Sequence, residues 1–162
     1  MAKKKEEKTN VMRTLEQKKI PYIAHAYPHG EGEAPDGVSV AASLGQDPER
    51  VFKTLVTRGA SGGFYVFDIP VAETLDLKKA AKAVGEKSIA MILSRELLPL
   101  TGYIHGGCSP VGMKKQFPTV FHETVLLYDT IMVSAGKIGY QVEVDPAELI
   151  ALVRAKTADV IV

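Results

Sequence analysis

The stretches VFKTLV (residues 51–56) and GGFYVFDIP (residues 62–70) lie close together near the middle of the chain. Both are rich in the β-branched and aromatic residues that favour strands. The residues that connect them include Gly59, Ser61 and Gly62, which are typical of turns. The pattern therefore predicts two strands joined by a turn, at the centre of a domain that contains a sheet.

Segments with helix-capping residues surround these two strands. Asp76 lies at the start of LDLKKAAKAVG, which places small and apolar residues on one face and ends at Gly85. Asp36 and Ser94 are predicted to cap two short helices, and Asp145 followed by Pro146 predicts a final helix. We expect helices at residues 10–20, 37–45, 76–85, 94–98 and 145–155, strands at 21–30 and 88–93, and more strands between 118 and 145. Strands in the middle with helices at both ends predict a single α+β domain.

The composition is that of one globular domain. The chain has 162 residues, of which 46% are hydrophobic, and no apolar run approaches the roughly 20 residues that span a bilayer, so no membrane contact is expected. MAKKKEEKTN predicts a solvated tail at residues 1–10 before a domain at residues 11–162, and a cytoplasmic protein. The net charge of +1 gives no overall basic field, so no DNA partner is expected and a polyanion would need a local patch.

A loop with three glycines surrounds the chain's single cysteine in GGCSPVGMKK (residues 106–115). Gly106, Gly107 and Gly112 allow the backbone to approach a ligand closely. Successive amide N–H groups in such a loop can hold a carbonyl oxygen that becomes negative during ester cleavage. The alternative is a tight turn without a ligand, and the residues alone leave both interpretations open.

Lys53 stands in a predicted strand whose two faces are otherwise largely apolar. It shares one face with Val51 and Leu55, because side chains alternate along a strand. Its ammonium group either reaches solvent at an edge of the sheet or stands at the mouth of a pocket. In the second case it would bind a phosphate or polarise a carbonyl group.

The cysteine and the histidines give no clear catalytic or metal-binding pattern. Cys108 cannot form an internal disulfide, and no spacing rule pairs it with His105 as a base, so we interpret it as a partly buried loop residue. His25 and His29 have the spacing of a helical metal pair, but Pro28 removes the helix that the spacing needs. We therefore expect no metal and no organic cofactor.

Five lysines form two groups, one on the polar side of the predicted helix at 76–85 and one after the glycine loop. Each lysine alone is typical of a solvated face. Together they predict a rim around a central pocket that contacts the phosphates of a nucleic acid. The five are Lys78, Lys79, Lys82, Lys114 and Lys115.

Five segments occur in the order and approximate spacing of one family. They are IPYIAHAYPH, VFKTLV, LDLKKAAKAVG, TGYIHGGCSPVGMKK and VSAGKIGYQVEV. The chain resembles the YbaK/EbsC family of free-standing aminoacyl-tRNA deacylases, most closely the cysteinyl-tRNA(Pro) deacylases. It is also similar to the editing insertion of bacterial prolyl-tRNA synthetases. The resemblance implies a mixed, mostly antiparallel sheet or barrel-like core flanked by helices, and hydrolysis of the ester between a wrong amino acid and its tRNA.

The resemblance also implies roles for individual residues. Lys53 matches the family's essential lysine, and Gly106 matches the glycine whose backbone faces the scissile carbonyl. Tyr27, Thr54 and Ser134 match pocket residues, and the loop residues Gly107, Ser109 and Gly112 are expected to contact the substrate. Cys108 and Ala135 stand where relatives carry an aliphatic residue and a glycine, which leaves the amino-acid preference of the pocket open.

The leading prediction is an enzyme that deacylates mischarged tRNA, with cysteinyl-tRNA(Pro) as its leading substrate. Its partners would be the tRNA acceptor end and prolyl-tRNA synthetase. No protein nucleophile or paired base is evident, so the resemblance implies that the substrate's own thiol attacks its ester and forms a cyclic thioester. The alternatives are a deacylase for alanyl- or seryl-tRNA and a non-catalytic module that binds tRNA or a synthetase.

Overall fold

Two open sheets carry the fold, and the predicted pair of strands at residues 51–70 forms the middle of the larger sheet. The computed structural model describes residues 8–30 and 34–162. The strands described there are β1 (Tyr22–Ala26), β2 (Phe52–Gly59), β3 (Phe64–Pro70), β4 (Ile89–Met91), β5 (Thr119–His122), β6 (Ile131–Ser134), β7 (Tyr140–Val144) and β8 (Lys156–Ala158). The α-helices are α1 (Asn10–Gln17), α2 (Gly37–Ser43), α3 (Leu77–Val84), α4 (Ser94–Thr101) and α5 (Pro146–Val153).

The larger sheet has the strand order β4-β2-β3-β5-β8, and the smaller has the order β1-β7-β6. Strands β2 and β3 are antiparallel, as are β2 and β4, whereas β5 runs parallel to both β3 and β8. All pairs in the smaller sheet are antiparallel. A short parallel bridge between Val51 and Met132 brings the start of β2 to the smaller sheet. The α+β prediction is confirmed, with two open sheets in place of a closed barrel.

The predicted caps define most of the helix ends. Asp36, Asp76 and Asp145 each accept backbone N–H groups in the first turn of the helix that follows, which satisfies donors that the helix itself leaves free. Gly85 ends α3 with a φ of +74°, a conformation that glycine adopts without strain. Each cap joins residues that are close together in the sequence. The capping residues therefore predicted these helix ends well.

Several local predictions differ from the structure. The run predicted as a buried strand at 88–93 forms β4 at a sheet edge, where only Ile89 is buried. Leu93, whose amide donates to Glu96 Oε1 at 3.0 Å, precedes α4 in place of the predicted cap Ser94. Strand β8 was not predicted from the sequence, and part of the predicted strand region is a 3₁₀ helix at Glu123–Leu127.

The predicted tail at residues 1–10 is described only in part. Residues 1–7 lie outside the described chain, whereas the helix α1 starts at Asn10 and Thr9 accepts the amide of Met12. In the described ranges, no helix is long and apolar enough to cross a bilayer.

The two faces of the β2–β3 pair bury different layers. On one face, Phe67 and Ile69 pack with Ala80 and Ala81 of α3. On the other face, Val56 and Val66 pack with Cys108 and other residues of the loop that follows α4. The strand pair thus fixes the glycine loop on one of its faces, and this places the loop beside the start of β2.

Candidate active site

A pocket of about 180 Å³ opens at the start of β2 and collects side chains from distant parts of the chain. The strand β2 contributes Lys53 and Thr54, and the glycine loop contributes Gly106. The other lining residues are Tyr27, Pro35, Asp36, Gly37, Val40, Val51, Phe52, Leu55, Val71, Leu97, His105, Cys108, Ser134 and Gln141. The five residues to which the resemblance assigns family positions, Tyr27, Lys53, Thr54, Gly106 and Ser134, therefore lie together.

Lys53 is half-buried in this pocket and makes no hydrogen bond or ion pair with any residue in the described ranges. Burial lowers the pKa of its ammonium group, and the charge of Glu73 opposes this effect. A cation that lacks a partner and is partly removed from water gains much from an anionic ligand. The arrangement therefore suits the binding of a phosphate or a polarised carbonyl oxygen.

Thr54, the neighbour of Lys53, faces the other side of the sheet and contacts a buried acid. Its hydroxyl donates to Asp68 Oδ1 at 2.5 Å across the β2–β3 pair. Asp68 is fully buried, and its Oδ2 atom has no hydrogen-bond partner in the described structure. Burial raises the pKa of Asp68 to about 8, and the hydrogen bond from Thr54 opposes this rise. Asp68 was not predicted as a site residue, because the pattern of its strand does not show what covers its side chain.

Gly106 has a backbone conformation and surroundings that exclude a side chain. Its φ is +85°, and a Cβ atom there would lie 2.4 Å from the Cβ atom of Ala34. The amides of Gly106 and Cys108 donate to no acceptor in the part of the chain that is described, whereas the amide of Gly107 donates to the Ile104 carbonyl at 3.0 Å. Amides without an acceptor among the described residues, in a pocket that Lys53 also lines, fit the predicted oxyanion site.

The remaining loop residues predicted to bind substrate do not line the pocket. Ser109 is buried and accepts the amide of Val111 at its Oγ atom. A Cβ atom at Gly112 would lie 2.9 Å from the Tyr103 hydroxyl, and one at Gly107 would lie 3.3 Å from the amide of Ile138. The structure thus places these three residues where they shape the loop and its packing, and their contact with substrate remains only a prediction.

The smaller sheet contributes one predicted and one unpredicted polar residue. Ser134 ends β6, and its Oγ atom accepts the amide of Gly136 at 3.1 Å. Gln141 of β7 is buried, and its Oε1 atom has no hydrogen-bond partner within the described ranges. The residue also lines the pocket. A lone glutamine in a strand pattern gave no signal for this.

Cys108 lines the pocket, but its environment opposes nucleophilic chemistry. Burial, and secondarily the nearby charge of Asp68, raise the pKa of its thiol to about 12. The thiolate is the reactive form of cysteine. The Nε2 atom of His25 lies 2.8 Å from Glu143 Oε1, within hydrogen-bond distance. No cluster of potential metal ligands occurs among the described residues.

Comparisons with known proteins identify the family. The model of the aminoacyl-tRNA editing domain matches residues 32–152. The chain belongs to this family. A protein of Enterococcus faecalis provisionally named Cys-tRNA(Pro)/Cys-tRNA(Cys) deacylase EbsC is 48% identical over 99% of this chain and 98% of its own length.

Solved structures agree with the assignment to the editing domain family. A crystal structure described as a provisional trans-editing enzyme for prolyl tRNA synthetase has a TM-score of 0.80 and 27% identity, and the match covers 94% of both chains. The crystal structure of a hypothetical protein has a TM-score of 0.83 over 94% of this chain and 99% of its own, at 23% identity, and shows the shared fold.

The five lysines predicted to contact tRNA do not line the pocket of this editing domain. Lys78 and Lys82 line a separate depression between α3 and β4. Lys79 donates to Asp159 and to the Ile161 carbonyl, and the Lys115 ammonium lies 5.9 Å from the centre of a phenylalanine ring. The expected rim around the pocket is therefore absent from the described lining, and contact of Lys114 and the other four with tRNA stays a prediction.

We predict that Cys108 reacts slowly with iodoacetamide in the folded editing domain. A thiol pKa near 12 leaves about a thousandfold less thiolate than an ordinary cysteine at pH 8. Alkylation followed by mass spectrometry should therefore be at least about a hundredfold slower than for free cysteine, whereas the unfolded protein should react like free cysteine. A native rate equal to that of free cysteine would contradict this account of the thiol.

Proposed function

We propose that the protein deacylates cysteinyl-tRNA, with tRNA(Pro) as the mischarged tRNA. The support comes from membership of the editing domain family and from a relative with a provisional cysteinyl-tRNA deacylase name that is 48% identical over nearly the whole chain. Prolyl-tRNA synthetase belongs to the proposal as the partner that releases the mischarged tRNA. Similarity to a structure described as a trans-editing enzyme for that synthetase supports this choice.

The observation that carries the proposal is one pocket lined both by Lys53 and by Gly106, whose ammonium group and amide have no partner among the described residues. Lys53 would bind a phosphate or the 3′-terminal nucleotide and so align the aminoacyl end. The amides at Gly106 would donate to the ester oxygen as it becomes negative. The amide contact grows stronger as the oxygen becomes negative in the transition state. The Lys53 contact contributes by holding the ester in the geometry that the reaction needs.

The size of the pocket suits a small aminoacyl group. Its volume of about 180 Å³ lies below the range of about 300–1,000 Å³ that drug-sized ligands occupy. The terminal nucleotide would therefore remain outside or at the mouth, with the amino acid inside. Tyr27 and Ser134 would form part of the wall around the side chain.

The hydroxyl and thiol groups of the pocket are poor nucleophiles in this arrangement. Thr54 donates to Asp68, and the Cys108 thiol is held in its protonated form. In the proposed reaction, the thiol sulfur of the substrate attacks its own ester carbonyl. A sulfur–carbon bond forms, the carbon–oxygen bond to the tRNA breaks, and the tRNA oxygen receives the proton that the thiol lost. The products are a cyclic thioester and free tRNA, so no metal or cofactor is required for this step.

Replacement of Lys53 or Gly106 by alanine should reduce kcat/KM for cysteinyl-tRNA by at least about a hundredfold, the scale for loss of one transition-state contact. Lys53→Ala removes the aligning cation. Gly106→Ala places a methyl group against Ala34 and displaces the loop amides. The measurement is the rate of deacylation of radiolabelled cysteinyl-tRNA under single-turnover conditions.

Matched variants separate these effects from general damage. Gly62→Ala has a similar φ of +93° but no atom within 4 Å of the new methyl group, and Lys18→Ala removes an exposed lysine outside the pocket. Both should keep activity within a small factor of the wild type. Near-normal activity of either Lys53→Ala or Gly106→Ala would remove that residue from the proposed mechanism.

A substrate with an S-methylated cysteine should react far more slowly than cysteinyl-tRNA, because the methyl group blocks attack by sulfur. The first product from the normal substrate should be the cyclic thioester, detected by rapid quench and mass spectrometry. Equal rates for the two substrates, with free amino acid as the first product, would show that water attacks instead.

A further inference from the structure

We propose that Asp68 acts through the Thr54 hydroxyl as the acceptor of the proton that the attacking group loses. The inference rests on the deacylase function proposed above. It assigns a role to Asp68, which has none in that proposal. Asp68 is a positioning residue in this scheme, because it reaches the reacting atoms only through Thr54.

The geometry provides one path between the pocket and the buried acid. Thr54 lines the pocket, and its hydroxyl donates to Asp68 Oδ1 at 2.5 Å. Asp68 itself is fully buried and does not line the pocket. A hydroxyl that gives its hydrogen to an acid keeps its oxygen lone pairs free to accept another hydrogen. The Thr54 oxygen can therefore accept from the pocket side while it donates toward Asp68.

The surroundings of Asp68 explain why it can both hold and release a proton. The Cys108 thiol, from the glycine loop, is the titratable group that interacts with it. Across the sheet, its partners are Thr54 on β2 and Phe121 on β5, neither of which carries a charge. Lys53 is paired with Ile69 and stands on the opposite face. Without a cation beside it, the buried carboxylate is disfavoured, which raises its pKa to about 8.

The proposed transfer balances without any other reactant. The attacking thiol gives its proton to the Thr54 oxygen as the Thr54 proton passes to the Asp68 carboxylate. The sulfur then bonds to the ester carbon, and the bond to the tRNA oxygen breaks. That oxygen takes up a proton from Thr54 as the Asp68 proton returns, so the pair regains its starting state. A base with a pKa near the working pH is well matched to this task.

The test compares wild type with Asp68→Asn, Thr54→Val and the double variant on cysteinyl-tRNA from pH 6 to pH 9. Asparagine keeps the shape of Asp68 but cannot take up the proton, and valine keeps the shape of threonine. Each single variant should lose about 10²–10⁴-fold in kcat/KM at pH 8.5, the range for a general base. The double variant should be no slower than either single variant, since residues that act as a unit are not additive.

The pH dependence supplies a readout that a purely structural role would not change. The ratio of wild-type to Asp68→Asn kcat/KM should be level below pH 8 and fall about tenfold per pH unit above it. Without the base, the variant depends on substrate that has already lost its thiol proton, whereas wild type uses the thiol form together with ionised Asp68.

Thr57→Val provides the matched control on the same strand. The Thr57 hydroxyl donates across the same strand pair, to the Tyr65 carbonyl at 2.9 Å, but Thr57 does not line the pocket. This variant should keep its activity and its pH profile. A pH-independent ratio, or additive losses in the double variant, would overturn the role of Asp68 and leave deacylation itself intact. A wild-type protein without any deacylase activity would instead contradict the proposed function, and the inference with it.

Discussion

The antiparallel pairing of β2 with β3 positions the chemical groups on which the rest of the site depends. Its register sets Lys53 opposite Ile69 and Thr54 opposite Asp68. Because side chains alternate along a strand, a shift of one residue would exchange the faces of all of them. The apolar layers on both faces oppose such a shift, since one packs on α3 and the other on the glycine loop. Core packing and site geometry are therefore consequences of the same register.

Local signals in the sequence predicted the elements that depend on neighbouring residues. Interactions between residues close in the sequence determine the strand pair and the ends of several helices. These ends are the caps Asp36, Asp76 and Asp145 and the end of α3 at Gly85. The pocket positions suggested by the family resemblance also lie together in the structure. The order of the family motifs predicted these pocket positions. Composition and periodicity alone did not decide whether the glycine loop is a ligand site or a turn.

The sequence could not show which distant residues approach the site. Asp68 and Gln141 become notable only because the fold buries each with an oxygen that has no partner in the described part of the chain. The alternation of side chains along a strand reveals a face but not what covers it. The same limitation explains the lysine rim. Clustering in two segments suggested that Lys78 and Lys82 flank the pocket, but in the structure both line a separate depression between α3 and β4.

The central claim is that this pocket removes cysteine from tRNA without a protein nucleophile. The most direct test is a deacylation panel in which purified wild-type protein meets tRNA(Pro) charged with cysteine, alanine, serine or proline. The account predicts that cysteinyl-tRNA(Pro) is hydrolysed fastest, because it alone supplies an attacking thiol. Faster loss of alanine or serine, or binding of all four without deacylation above the spontaneous rate, would contradict it.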